Sequence, residues 1–334
     1  MEFKDRVVVI TGASSGIGRA TAHAFAGRGA RVVLAARSAD QLEEVERECA
    51  DLGARALAVP TDVGSYPEVE ELAARAEREF GGFDAWINDA GVLLIGRIDE
   101  VPPEDFTRVV QTNLLGTAYG ARVALAHFRR RRRGTLINIA SIVAGVGQIY
   151  SAAYVASKWG VRGLSEALRM EVKDEPGIHV CTVMPAAIDT PIFQHAANYT
   201  GHDIQAMAPV YPPAQVAEAI VRLMHHPRAE VTVGDAGRLL QAARSLLPQA
   251  VTTRLVGTFQ ERGMLAPRPE GPHPGNLYDP SGSTAAVHGG WQGQVASGAT
   301  ADTMLRLLGL GMAGLGTVCL VAALARRPWQ GHAR

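Results

Sequence analysis

Residues 7–18 read VVVITGASSGIG, and the reading of this dozen decides the fold. Four consecutive branched apolar residues, Val7–Ile10, suit a strand buried on both faces. The glycines at 12, 16 and 18 then let the backbone turn sharply and approach a ligand closely. A helical pattern follows at once. Its unpaired N–H groups and positive dipole end point at whatever anion the loop holds. Strand, glycine-rich turn and helix start, in that order, form the phosphate-binding unit of dinucleotide-binding folds. Gly12, Ser14, Ser15, Gly16, Ile17 and Gly18 are therefore the first candidate cofactor contacts.

Working outward, short β-branched runs alternate with amphipathic stretches as far as about residue 235. Strands are predicted at Val7–Ile10, Arg31–Ala35, Ala56–Val59, Ala85–Ile87, Thr135–Ile139, His179–Val183 and Glu230–Val233. Amphipathic stretches separate them, among them Gln41–Leu52, Pro67–Phe80 and Pro103–Phe128. This alternation implies right-handed βαβ units, hence an α/β fold with a Rossmann-type doubly wound parallel sheet in three layers. A single catalytic domain over residues 1–260 is expected.

The second strand ends in Ala36 and Arg37. A carboxylate at this place would accept from ribose hydroxyls and repel a 2′-phosphate, whereas a guanidinium pairs with that phosphate. The expected cofactor is NADP(H), ahead of NAD(H). Arg19 could assist, although a helix-face arginine is the blander account.

Residues 154–158 read YVASK, which puts Tyr154 and Lys158 on one helix face, four residues apart. A free phenol has a pKa near ~10, and an adjacent ammonium lowers it toward useful acid/base range. Ser141, just past the strand Thr135–Ile139, is placed to hold a substrate oxygen. A Tyr-x-x-x-Lys pair alone is common on helix surfaces. Its weight comes from following a strand–Ser element in a chain that carries a phosphate loop.

TGASSGIG at 11–18, NDAG at 88–91, Asn113, Ser141, YVASK and VMPAAIDT at 183–190 together resemble the short-chain dehydrogenase/reductase family over about residues 1–235. The resemblance implies a tetrad. Tyr154 would be the acid/base, Lys158 would bind the nicotinamide ribose and lower the tyrosine pKa, Ser141 would orient the carbonyl, and Asn113 would hold a relay water. It further implies that Asp62 and Val63 flank the adenine, that Asn88, Ala90 and Gly91 line the cleft, and that Pro185 and Thr190 lie at the nicotinamide end. Three positions depart from the family's pattern: Asp89 for a frequent Asn, Ala140 for a frequent Ser, and Ala186 for the common Gly. Asp89 matters most, because a carboxylate near a central sheet needs partners or a shifted pKa.

The rest of the chain bounds the reading. The formal net charge is +0, so no nucleic-acid partner is expected. Cys49, Cys181 and Cys319 form no CxxC pair, which points to neither a metal site nor disulfides and suits the cytoplasm. The opening residues MEFKD run straight into Arg6–Ile10, so no signal peptide is expected there. The arginine run 129–133 reads as a solvated helix end, with attraction to anionic lipid as the sharper alternative. Trp159 is expected in the core or at a subunit interface.

Residues 266–300 hold five prolines and seven glycines, a composition that predicts a mobile linker over 261–303. A hydrophobic helix is expected over 304–327. Its centre, Leu307–Ala325, has nineteen residues without a charge, suited to a membrane anchor on the inner face, an interfacial helix or a buried soluble one. The apolar residues Ile192, Phe193, Ala196, Ala197, Ile204, Met207, Val210 and Tyr211 suggest a lid and a small hydrophobic carbonyl or alcohol substrate. A homo-oligomer is expected from the resemblance. The rival reading is a non-catalytic NADP(H)-binding sensor or scaffold at a membrane.

Overall fold

The computed structural model describes residues 2–235, 249–280 and 285–291. In chain order, β1 (Val7–Thr11), α1 (Gly16–Ala26), β2 (Arg31–Ala36), α2 (Ala39–Asp51), β3 (Ala56–Pro60), α3 (Tyr66–Phe80) and β4 (Ala85–Asn88) make the first half. A two-residue strand, β5 (Leu94–Ile95), leads into α4 (Pro103–Val110), a π-helical turn (Gln111–Leu115) and α5 (Gly116–Arg131). Then follow β6 (Gly134–Ile139), α6 (Ala152–Glu171), β7 (Ile178–Pro185), the short β8 (Ala197–Asn198) and β9 (His202–Ile204), α7 (Pro213–His225) and β10 (Glu230–Val233).

Seven strands form one sheet in the order β10-β7-β6-β4-β1-β2-β3, and every pairing is parallel. All seven predicted strands are present, each within two residues of its predicted ends. The continuous apolar runs have the anticipated cause. Val8 and Ile10 pack on one side with Phe25, Leu42 and Ile220, while Val7 and Val9 pack on the other with Leu72, Trp86 and Phe128. Alternate side chains feed opposite layers, so both must be apolar. Each such side chain contributes about 1.5–3 kcal/mol by leaving water.

The strand order reverses between β1 and β4, where Thr11 pairs in register with Asn88. In open parallel sheets this switch point opens a crevice at the carboxyl ends of the strands. The predicted stretch Pro103–Phe128 is helical throughout, but the π-helical turn Gln111–Leu115 interrupts it and carries Asn113. Such turns widen a helix by one residue and gather at functional sites.

Past the sheet, residues 265–280 and 285–291 do not behave as their composition suggests. Leu265–Pro269 pairs with His202–Ile204. Leu277 is fully buried against Val92, Leu94, Val101, Val109 and Ala153. The linker expectation fails here because a few anchoring side chains hold the backbone where an apolar face does not. The arginine run also has local partners. Arg129 pairs with Glu175 at 3.0 Å, Arg130 with Glu77 at 2.5 Å, and Arg131 and Arg133 lie within 4 Å of Asp84. Trp159 is 41% exposed, which removes it from the core. The hydrophobic segment 304–327 lies outside the described residues; among those, no helix is long and apolar enough to cross a membrane.

Candidate active site

The loop after β1 needs its glycines. Gly12 adopts φ +72°, and a Cβ there would sit 2.8 Å from Ala90 N and Cα. A Cβ on Gly18 would strike the Gly12 carbonyl oxygen. Ser15, at the start of α1, makes no side-chain cap to the helix, so its hydroxyl is uncommitted to α1. Gly12, Ser14 and Ser15 form one wall of an open cleft of about 690 Å³ counted out to its mouth. Arg37, Asp62, Val63, Ala90 and Gly91 line it as expected. Gly16, Ile17, Gly18, Pro185 and Thr190 stand behind this surface. Gly16 lies beside Thr190, whose Cγ2 would be 3.0 Å from a Cβ on that glycine.

Asn88 departs from its expected place. Its carboxamide accepts from Trp86 Nε1 at 2.8 Å and donates to Asn138 Oδ1 at 2.9 Å and Thr117 O at 3.1 Å. It is spent tying β4 to β6 and α5, under the sheet rather than in the cleft. Asn113 is likewise fully buried. Its Oδ1 accepts from Val92 N at 2.8 Å, and its amide donates to Val92 O and Ser157 Oγ. Both amide hydrogens are thereby occupied.

Ser141 caps a short 3-10 turn after β6, with Val143 N donating to its Oγ at 3.3 Å. Its hydroxyl also hydrogen-bonds the Tyr154 phenol. One helical turn on, the Lys158 ammonium donates to Ile139 O at 2.9 Å and lies 5.6 Å from the Tyr154 ring centre. A Cβ on Gly91 would stand 3.6 Å from Lys158 Nζ and 3.4 Å from Asn113 Oδ1, so this group adjoins the cleft wall.

The electrostatics differ from the expectation at one point. Burial pushes the Tyr154 phenol up to about 12; the Ser141 hydrogen bond works against that shift and the Asp89 charge adds to it. Lys158 does not lower it in this arrangement, because its ammonium is turned toward Ile139 O and Asp89. Burial lowers the proton affinity of Lys158, opposed by Asp89. Burial raises that of Asp89, opposed by Lys158 and by the Gly18 N–H donated to it. The departure noted at residue 89 thus gives the lysine its counter-charge.

Arg37 points across the cleft at residues that sequence reasoning missed. Its Nη1 donates to the carbonyls of Leu277 and Tyr278, both at 2.9 Å, and its Nη2 to that of Asn276 at 2.6 Å. Arg108 joins in, donating to Leu277 O at 2.9 Å and to Asp62 at 2.6 Å. Burial opposes the charge on Asp62, but the Arg108 and Gly64 donors win and hold its carboxyl below the usual range. Tyr278 donates to Asp105 at 2.8 Å. Further along, Ala286 O accepts from Gly16 N at 3.0 Å, and Trp291 N donates to Asp189 at 2.7 Å. Residues 270–280 and 285–291 therefore form a strap over the cleft mouth. The only sequence signal for it is Leu277-Tyr278, two large side chains in a run otherwise rich in proline and glycine. Arg19 takes the blander role, binding Glu44, Glu48 and Ala285 O. Of the apolar stretch, Ile192, Phe193, Ala196, Ile204 and Met207 gather with Leu93, Ile95 and Tyr154. Ala197 and Tyr211 pack elsewhere.

Comparison with known proteins places this geometry. The short chain dehydrogenase family model matches residues 6–199. The uncharacterized oxidoreductase YxnA of Bacillus subtilis is 36% identical over 282 residues, covering 83% of this chain and 79% of its own. Since 83% of 334 residues is about 277, a contiguous match of that length extends to residue 277 or beyond and so includes part of the strap. The alcohol dehydrogenase of Thermococcus sibiricus, solved with 5-hydroxy-NADP, is similar with TM-score 0.61 and 29% identity, over 68% of this chain and 95% of that one. The 3-ketoacyl-(acyl-carrier-protein) reductase of Brucella melitensis, solved with NADH, gives 0.62 and 30%, over 69% and 97%.

Proposed function

This chain belongs to the short-chain dehydrogenase family, an oxidoreductase family, and from that premise we propose that it interconverts a carbonyl and an alcohol at Tyr154, with NADP(H) as its cofactor. The observation that carries this reading is the Ser141–Tyr154 hydrogen bond with Lys158 one turn behind, beside a cleft walled by the glycine loop.

The cleft residues fit a dinucleotide. The loop has no room for side chains at Gly12 or Gly18, Ser15 keeps its hydroxyl free of the helix, and α1 directs its N-terminus there. Ser14 and Ser15 with the start of α1 would hold the pyrophosphate, and Asp62 and Val63 the adenine. Gly91 and Lys158 would border the nicotinamide ribose, with Pro185 and Thr190 beyond. Bound there, the nicotinamide supplies or accepts a hydride. The chain's own residues do the rest. The Ser141 hydroxyl orients the substrate oxygen, and the Tyr154 phenol gives that oxygen a proton during reduction. A phenol held neutral by burial suits the reductive direction at neutral pH. The charge on Lys158, sustained by Asp89, stabilises negative charge as it develops. With both amide hydrogens occupied, Asn113 would serve a proton relay through its main chain.

NADP(H) is preferred to NAD(H) because Arg37 stands where a carboxylate would be needed to accept from a ribose 2′-hydroxyl. Its Nε–H and second Nη2–H have no acceptor among the described residues and would remain for a 2′-phosphate. The apolar wall of Leu93, Ile95, Ile192, Phe193 and Met207 beside Tyr154 favours a hydrophobic substrate. Leu115, Trp159 and Met170, exposed along α5 and α6, favour a homo-oligomer. We take residues 1–260 with the strap as the catalytic unit, working in the cytoplasm.

A panel of ketones and aldehydes offered with NADPH or NADH tests the proposal. Wild type should consume NADPH stoichiometrically, fastest with long-chain or polycyclic substrates. Tyr154→Phe should lose about 10²–10⁴-fold in turnover while binding NADPH as wild type does. An unchanged rate in Tyr154→Phe would refute the role of Tyr154 and favour the sensor or scaffold.

A further inference from the structure

The cleft has a wall that lies outside the matched family segment, residues 6–199. Asn276 and Pro280 line it from the strap, opposite Gly12, Ser14 and Arg37. Asn276 is the most constrained residue of that strap. Its N–H donates to His195 O at 2.9 Å, and its carbonyl accepts from Arg37 at 2.6 Å. The preceding Gly275 adopts φ +53°, and a Cβ there would meet Ala196 C and O at 2.5 Å. Leu277 follows as a fully buried plug. With its main chain fixed on every side, the Asn276 side chain has a defined position.

That side chain is incompletely used. Its Oδ1 is buried and accepts no hydrogen bond among the described residues. A buried acceptor left unpaired costs about 1–3 kcal/mol. The Thr112 hydroxyl, on a second residue lining the same cleft, is also buried without a partner among the described residues. Two orphaned oxygens on opposite elements of one cleft point to a ligand that brings donors. An adenosine has them in its amine and its ribose hydroxyls. Asp62, Val63 and Arg37 on the same walls are the residues assigned above to that half of the cofactor.

We infer that the strap is the outer wall of the adenosine subsite, that Asn276 Oδ1 accepts a hydrogen bond from the bound adenosine, and that Arg37 fastens the wall shut. This inference rests on the cofactor reading above. It makes Asn276 a specificity-determining residue contributed from beyond the sheet.

Titration calorimetry on the full chain, with adenosine 2′,5′-bisphosphate and 5′-AMP as probes, tests it. Amide hydrogen exchange over residues 270–280 gives a second readout. Asn276→Ala should weaken both probes about tenfold, the loss of one hydrogen bond to a buried acceptor. Asn276→Asp, which keeps the acceptor, should recover most of the 5′-AMP affinity. The bisphosphate should slow exchange across 270–280 in wild type. Equal affinities in wild type and Asn276→Ala would overturn the inference alone. So would faster exchange on binding, because the strap would then be displaced by the ligand. If wild type binds neither probe, the cofactor reading falls with it.

Discussion

On one side of the cleft stand Gly12, Ser14 and Ser15; on the other stand Asn276 and Pro280. The first group is carried by β1 and α1, whose side chains fill two apolar layers and whose backbone is hydrogen-bonded into a seven-stranded sheet. The second hangs on a handful of point contacts: one leucine plug, one guanidinium taking three carbonyls, one phenol on Asp105. Area holds the loop, and particular atoms hold the strap. A wall held by area yields only when the domain unfolds, whereas a wall held by points can open on its own. One cleft thus combines a fixed phosphate side with an adenosine side that is able to release.

The largest effect should come from truncating a leucine on each side of that contrast. Leu72→Ala, in the layer beneath the sheet, should cost about 2–5 kcal/mol and lower Tm by roughly 5–15 °C. Leu277→Ala should move Tm by under about 2 °C, yet speed amide exchange over 270–280 by at least about tenfold. Equal losses of Tm, by calorimetry, would erase the distinction between the two walls.

Arg37→Ala sharpens the comparison at its hinge, since the same guanidinium serves the strap and the expected 2′-phosphate. NADPH affinity should fall about 10–100-fold and NADH affinity only a few-fold. Calorimetric titration with both cofactors decides, and parallel losses would mean that Arg37 acts on the strap alone.

The smallest effect lies inside the fixed wall. Asp89 supports the charge on buried Lys158. In Asp89→Asn the ammonium has lost its counter-charge, burial lowers its proton affinity further, and it deprotonates at lower pH. The alkaline fall in carbonyl reduction should therefore move down by about one pH unit, equivalent to about 1.4 kcal/mol. A pH profile that does not move would remove Asp89 from the site's electrostatics.

How much of this was legible in the sequence follows the same division. The strands were readable because burial on both faces forces continuous apolar runs such as Val7–Ile10. The glycine loop was readable because its glycines answer to local backbone demands. Asn88 was misplaced: its position beside the cleft was right, but its side chain turns under the sheet to join Asn138 and Trp86, a choice made by residues distant in sequence. The strap escaped for a related reason. Composition registers how much apolar surface a segment can bury, and a single leucine with a few carbonyls scarcely alters composition. The raised proton affinity of Tyr154 also had no sequence signature, since helical spacing brings Lys158 near the ring without fixing where its ammonium points.

The π-helical turn at Gln111–Leu115 carries one residue more than an ordinary helix would place there. Losing a single residue from it would turn everything downstream by about 100°. Arg122 would then be driven into the slot of Ala121, which is 2% exposed, and Arg129 into that of Phe128, which is wholly enclosed. Stranding two guanidinium groups in apolar surroundings is costly enough to unseat α5 from the sheet. The register of this helix is thereby locked to its length, so insertions and deletions here should be far less tolerated than substitutions.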